Sequence, residues 1–345
     1  MRRRPRLESK KGGADGLTQP PFYHEAEIKS QMPYHYTTGD TPHRLASAAP
    51  VNRFEFYRYR FQFTAAAPIH FPAGKSANVV RGAFGLLLRD TAAPSDYARL
   101  FEPRTPPAGG APSGMADWPR PFVFRTAHLD GVTIPPGAGF YFDAHVFDTH
   151  QPASTLAQFR TALAELARSG IGPRRSGAFL QGIEQLDLEG AAEIVDKPLP
   201  PCTISLDPDI HPVEHVCVRF LTPTELKLGG ELAERPEFPI LFARLRDRLS
   251  TLRALYGPGP LDIDFRAMGE RAESIRLERC ELKWERVERK SGRTGQVHSI
   301  GGFTGEAEYA GPLAGFLPWL RAARWVGVGR QTVWGKGEVR ITREG

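Results

Sequence analysis

What most constrains this chain is a repeated order of elements: strand, helix, strand, strand, helix, strand, and then the same order again. In the first copy, Tyr57, Tyr59, Phe61 and Phe63 alternate with Arg58, Arg60 and Gln62, the period of a half-buried strand. After Pro72, Ala73 and Gly74, the residues Val79, Val80, Ala83, Phe84, Leu87 and Leu88 fall at helical spacing to about Asp90. Residues 91–120 are rich in Pro, Gly and Ala and read as a long irregular insertion. Strands are expected at about 121–127 and 139–148, a helix at 153–169 and a strand at 178–188, with a glycine-rich turn over 169–177. Residues 190–212 hold five prolines and read as a linker. The second copy has a strand at 213–221, a helix at 237–255, strands at 273–287 and 298–309, a helix from Pro312 to Arg324 and a strand at 338–342. A second glycine-rich turn, 327–337, again joins last helix to last strand. Strand–helix–strand twice over is the split βαβ unit, so the fold class expected is α+β: tandem ferredoxin-like, RRM-like domains with glycine-rich loops. The domain plan is a disordered basic tail at 1–52, a first domain at 53–189, the linker at 190–212 and a second domain at 213–345.

Charge narrows the function. The formal net charge is +6, but residues 1–11 alone carry +5 through Arg2, Arg3, Arg4, Arg6, Lys10 and Lys11 against Glu8. Most of the basic pI is therefore a property of the tail. The remaining cations cluster: Arg321, Arg324, Arg330, Lys336, Arg340 and Arg343 near the end, Arg286, Arg289, Lys290 and Arg293 before it, and Arg168, Arg174 and Arg175 by the first glycine turn. Cations beside glycine turns suit a folded surface that grips a polyanion. Three widely spaced cysteines, Cys202, Cys217 and Cys280, give neither a disulfide framework nor a zinc knuckle. No apolar run reaches the length of a membrane span, and no apolar segment follows the N-terminal arginines as a secretory signal would require. A cytoplasmic protein without membrane partners is expected. The second glycine turn lacks GxxxxGK[ST] and follows a helix rather than a strand, so neither nucleotide-binding fingerprint applies.

The segment VGVGRQTVWGKGEVRI, with GGFTGEAEY upstream, resembles the C-terminal signature of the RAMP superfamily, and within it the CRISPR repeat-RNA processing endoribonucleases. VVRGAFGLLL, LFEPR, GIGPRRSGAF and RKSGRTGQVHSIGGFTG resemble further elements of that family, so the likeness covers about residues 53–343. Where many relatives carry cysteine pairs before LFEP, this chain reads DYARLFEP. The resemblance implies two ferredoxin-like domains holding CRISPR repeat RNA and cutting it without metal or cofactor, with other CRISPR effector subunits as further partners. A non-catalytic RAMP subunit that binds guide RNA is the alternative.

Such cleavage proceeds by attack of the ribose 2′-OH on the adjacent phosphate, giving a 2′,3′-cyclic phosphate. A neutral histidine suits the base. The family often places it after the first strand, where His70 stands with Lys75 and Arg81 downstream; His298 is the second catalytic candidate. Candidate RNA-binding residues are Lys75, Arg81, Arg174, Arg175, Arg289, Lys290, Arg293, Arg330, Gln331 and Lys336. Trp319, Trp325 and Trp334 fit a core better than base-stacking platforms, and His145 fits the exposed face of its strand.

Overall fold

The first strand, Arg53–Ala65, runs for 13 residues and serves two cores at once. Its odd-numbered side chains Tyr59, Phe61 and Phe63 pack under the helices of the N-terminal half. On the opposite face, Phe54 and Phe56 are sealed into the apolar cluster of the C-terminal half. Strict alternation lets one strand do both. The computed structural model describes residues 52–103, 118–286, 288–290, 297–299 and 301–344, with no side chain described between 287 and 300. The expected tail lies outside the described residues but for Asn52.

The N-terminal sheet is antiparallel, in the order Phe122–Arg125, Gly139–Val146, Arg53–Ala65, Ala178–Leu186, Ala192–Ile194. The helices Ser76–Thr91 and Pro152–Ser169 cover its inner face through Val80, Phe84, Leu156, Phe159 and Leu163. Phe84 and Phe159 sit 4.6 Å apart between ring centroids, at the centre of that core. The C-terminal sheet runs Arg276–Glu285, Gly302–Ala310, His215–Thr224, Val339–Glu344, also antiparallel. Helices Phe238–Tyr256 and Leu317–Val326 cover it. In each half the spatial order is second, third, first, fourth strand of the split βαβ unit, the tandem ferredoxin-like arrangement expected.

Several expectations need correction. Residues 190–212 are no bare linker: Ala192–Ile194 extends the first sheet, and Cys202–Ser205 pairs with Arg53–Phe56. Their prolines stand outside these two strands, so no ladder hydrogen bond is lost. The last helix starts at Leu317 rather than Pro312. Leu313 N donates to Val213 O, which ties the segment to the residues just before the strand His215–Thr224, and Pro318 takes the first turn of the helix. Within 91–120, Pro94–Leu100 forms a short helix, and 104–117 lie outside the described residues.

Because Phe56 joins the two halves, Phe56→Ala is expected to cost about 3–5 kcal/mol in urea unfolding. Gln62→Ala, on the same strand face but half-open to solvent, is expected to stay within about 0.5 kcal/mol of the parent.

Candidate nucleic-acid interface

The two halves meet at the C-terminal end of the last helix. Arg125, from the edge strand of the first sheet, donates through Nη2 to the carbonyls of Arg324 and Trp325, each at 3.1 Å. His145 Nδ1 donates to Trp325 O at 2.9 Å, and Arg248 Nε donates to Val326 O at 2.8 Å. Trp325 itself is boxed by Phe56, His145 and the Arg58 guanidinium, which stands 4.5 Å from the ring centre. His145 is therefore buried, contrary to the expectation for its strand face: the C-terminal half covers that end of the first sheet. Burial, then Arg125, hold the imidazole well below its usual pKa.

From this junction the second glycine turn runs onto the first helix. Gly335 has φ 74°, and a Cβ there would lie 2.4 Å from Ala77 Cβ. Gly337 has φ 68°, and a Cβ there would lie 2.0 Å from Val328 O. The glycines are needed for packing. Val328 N donates to Gly337 O, Arg330 N to Glu225 O and Gly337 N to Pro223 O, so these amides already have partners inside the protein.

The turn's cations are placed as follows. Lys336 is only 3% exposed, and its Nζ donates to Gly74 O at 3.0 Å. Burial pushes its pKa down. Expected as a phosphate contact, it is a tether between the turn and the start of the first helix. Arg81 is also corrected: it is buried, with its guanidinium over the Phe101 and Trp334 rings at 4.4 and 5.6 Å. Arg330 bonds Glu225 while half its side chain stays exposed, and Gln331 is half-buried in a left-handed conformation, φ 65°. Trp319 and Trp325 belong to the core.

The first glycine turn sits on the other end of the same segment. Ser176 Oγ donates to Pro68 O at 2.6 Å, and a Cβ on Gly172 would lie 3.0 Å from His70 O. His70–Lys75 is thus bracketed, with the first turn on His70 and the second on Gly74. The His70 ring is exposed and its Nδ1 is 3.0 Å from Thr133 Oγ1. Asp130 Oδ1 accepts from Ser76 N at 2.8 Å, fixing the helix start beside half-buried Lys75. Arg174 and Arg175 are exposed on the first turn. Arg289, Lys290 and His298 lie on a short antiparallel pair in which Arg289 stands opposite His298; Arg293 lies outside the described residues.

Sequence reasoning missed Thr133 and Asp130 around His70, and Arg125 and Arg248 at the junction. None lies in a motif, and each acts on residues far off in sequence.

Residues 218–339 match the family model of the CRISPR-associated endoribonuclease Cas6, and residues 54–201 match a model of an N-terminal domain. The C-terminal part of the chain is thus similar to the Cas6 endoribonucleases. A Cas6 product complex is similar in fold at 19% identity and a TM-score of 0.52, over 83% of this chain and 99% of that one. A partial Cas6-RT-Cas1–Cas2 complex gives 13% identity and a TM-score of 0.55, over 86% of this chain and 47% of that one. No curated protein gives a significant match. Among the described residues, no helix is long and apolar enough to cross a membrane.

The junction gives a pH dependence. The unfolded chain takes a proton at His145 below about pH 6.5, which the fold refuses. The stability this group contributes is full above that pH and is lost as pH falls toward the folded pKa, by about 1.4 kcal/mol per pH unit. Denaturant midpoints of the parent are expected to drop between pH 7.5 and 5.5 more steeply than those of His145→Gln.

Proposed function

We propose that the protein processes CRISPR repeat RNA in the cytoplasm, cutting it without metal by 2′-OH attack, with His70 as the general base. The bracketing of His70–Lys75 by both glycine turns carries this reading. It fixes an exposed imidazole between a helix start and a turn that presents Arg174 and Arg175. In the tautomer whose Nδ1–H donates to Thr133 Oγ1, the lone pair is on Nε2, the atom that takes the 2′-OH proton. The two arginines and Lys75 hold the phosphate. Attack forms the bond from the 2′ oxygen to phosphorus and breaks the bond to the 5′ oxygen, which takes a proton from water, leaving a 2′,3′-cyclic phosphate and a 5′-OH.

Cleavage of the cognate repeat is expected in EDTA and is expected to vanish when the attacking 2′-OH is replaced by hydrogen. In single-turnover assays His70→Ala is expected to slow cutting by about 10²-fold or more at nearly unchanged affinity. An unchanged rate would remove His70 from the mechanism and direct the search to His298.

Phosphate binding has its own signature. Arg174→Ala with Arg175→Ala is expected to weaken binding to all RNA sequences. It should also flatten the plot of log affinity against log salt by about 1.4, or about 0.7 for each phosphate of a single strand that is no longer neutralised. An unchanged slope would place the phosphate grip elsewhere.

A further inference from the structure

The outer face of the first sheet is covered at one end and open at the other. Phe54, Phe56 and Arg58 lie beneath the C-terminal half, whereas Arg60, Gln62 and Thr64 on the same face are only half-buried. Register places Phe179 beside Thr64, and Tyr141 beside Gln62, on this open part. Phe179 is 61% exposed, which is unusual for so large an apolar side chain, and it follows the basic turn by two residues. Deeper in the trough the Tyr141 ring is built into a stack. The Arg60 guanidinium lies 4.0 Å from its centre, and the His128 ring lies 4.6 Å away at 26°. Asp143, two residues along the strand from Tyr141, is held by Arg60 through two hydrogen bonds of 2.8 and 3.1 Å, so its charge is compensated. Glu184 lies opposite Arg60 on the other neighbouring strand.

Resting on the proposed function, we infer that this open half is a stacking trough for unpaired RNA nucleotides, with Phe179 as its anchor. An aromatic ring offers a base its face without reading its edge, and the exposed Arg174 and Arg175 next to it supply the charge that a nucleotide chain needs and an apolar protein segment does not. The trough begins at the end of the sheet where the first glycine turn meets the His70 segment, so one strand of RNA can occupy both.

Two probes test it: the cognate repeat, and an oligoadenylate of about 15 nucleotides with a 2-aminopurine in its middle. Phe179→Ala is expected to weaken binding of both by about 10-fold or more. Phe179→Tyr is expected to restore it, and quenching of the 2-aminopurine seen with the parent is expected to disappear in Phe179→Ala. The salt slope should stay as in the parent, because no phosphate-binding cation is removed. If the parent cuts the repeat and Phe179→Ala binds both RNAs as tightly, the trough is overturned and the function stands. The trough is also overturned if the change alters self-association of the protein and not RNA binding. If the parent fails to cut the repeat while Phe179→Ala loses the oligoadenylate, the function falls and the trough stands. If the parent binds neither RNA, both fall.

Discussion

The last four carbonyls of the helix Leu317–Val326 would be left without partners by the helix itself, and they point into the middle of the molecule. Each is satisfied. Ala323 O accepts from Gly327 N at 2.8 Å, Arg324 O and Trp325 O accept from Arg125, Trp325 O also accepts from His145, and Val326 O accepts from Arg248. Two buried arginines at the negative end of a helix are electrostatically well placed. Burial pushes the Arg248 guanidinium down to about 9, so it remains charged at neutral pH. His145 is neutral there and acts as a simple N–H donor. Removing Arg125 or Arg248 leaves a carbonyl buried without its partner, a cost of about 1–3 kcal/mol.

This junction determines what lies around it. It seats Trp325 on Phe56 and Arg58, which closes one end of the first sheet's outer face and leaves the other end open. It also sets where the chain leaves the last helix. Gly327, with φ 75°, turns the chain beside Arg125, so the following turn reaches Ala77 and Gly74 on the first helix. The tether at Gly74 and the packing of Gly172 on His70 then hold a six-residue segment from both sides. The catalytic candidate is thus positioned by residues from both halves of the chain, which is why an exposed imidazole can keep a fixed geometry.

Much of the fold was legible because period-two and period-3.6 patterns report local burial. The alternation of Tyr57–Phe63, the helical stripe of Val80, Phe84 and Leu88, and the two glycine turns were all readable. The same patterns misled where the covering surface came from the other half. His145 looked exposed because its strand alternates, yet Trp325 covers it. Lys336 and Arg81 looked like phosphate ligands because they are cations beside glycines, yet one bonds Gly74 O and the other packs on Phe101 and Trp334. No local pattern encodes a partner some 260 residues away. The strand pairing of Cys202–Ser205 was hidden for a similar reason: proline content signals the absence of helix and says little about short edge strands.

Charge alone would have spread RNA over every basic patch, and the structure argues against that. The outer face of the C-terminal sheet is a lattice of opposite charges: Arg219 with Glu306 at 3.7 Å, Arg343 with Glu308 at 3.5 Å and Arg279 with Glu308 at 3.9 Å. Such exposed pairs contribute about 0–1 kcal/mol each to stability, but they cancel the field a polyanion would feel. Arg321 is likewise committed to Asp209 and Glu344. On the first glycine turn, by contrast, Arg174 and Arg175 have no acid partner among the described residues. Counterion release rewards cations that are not already neutralised. The cations of that turn, with His70 at one side and Phe179 at the other, are therefore left free to attract a polyanion.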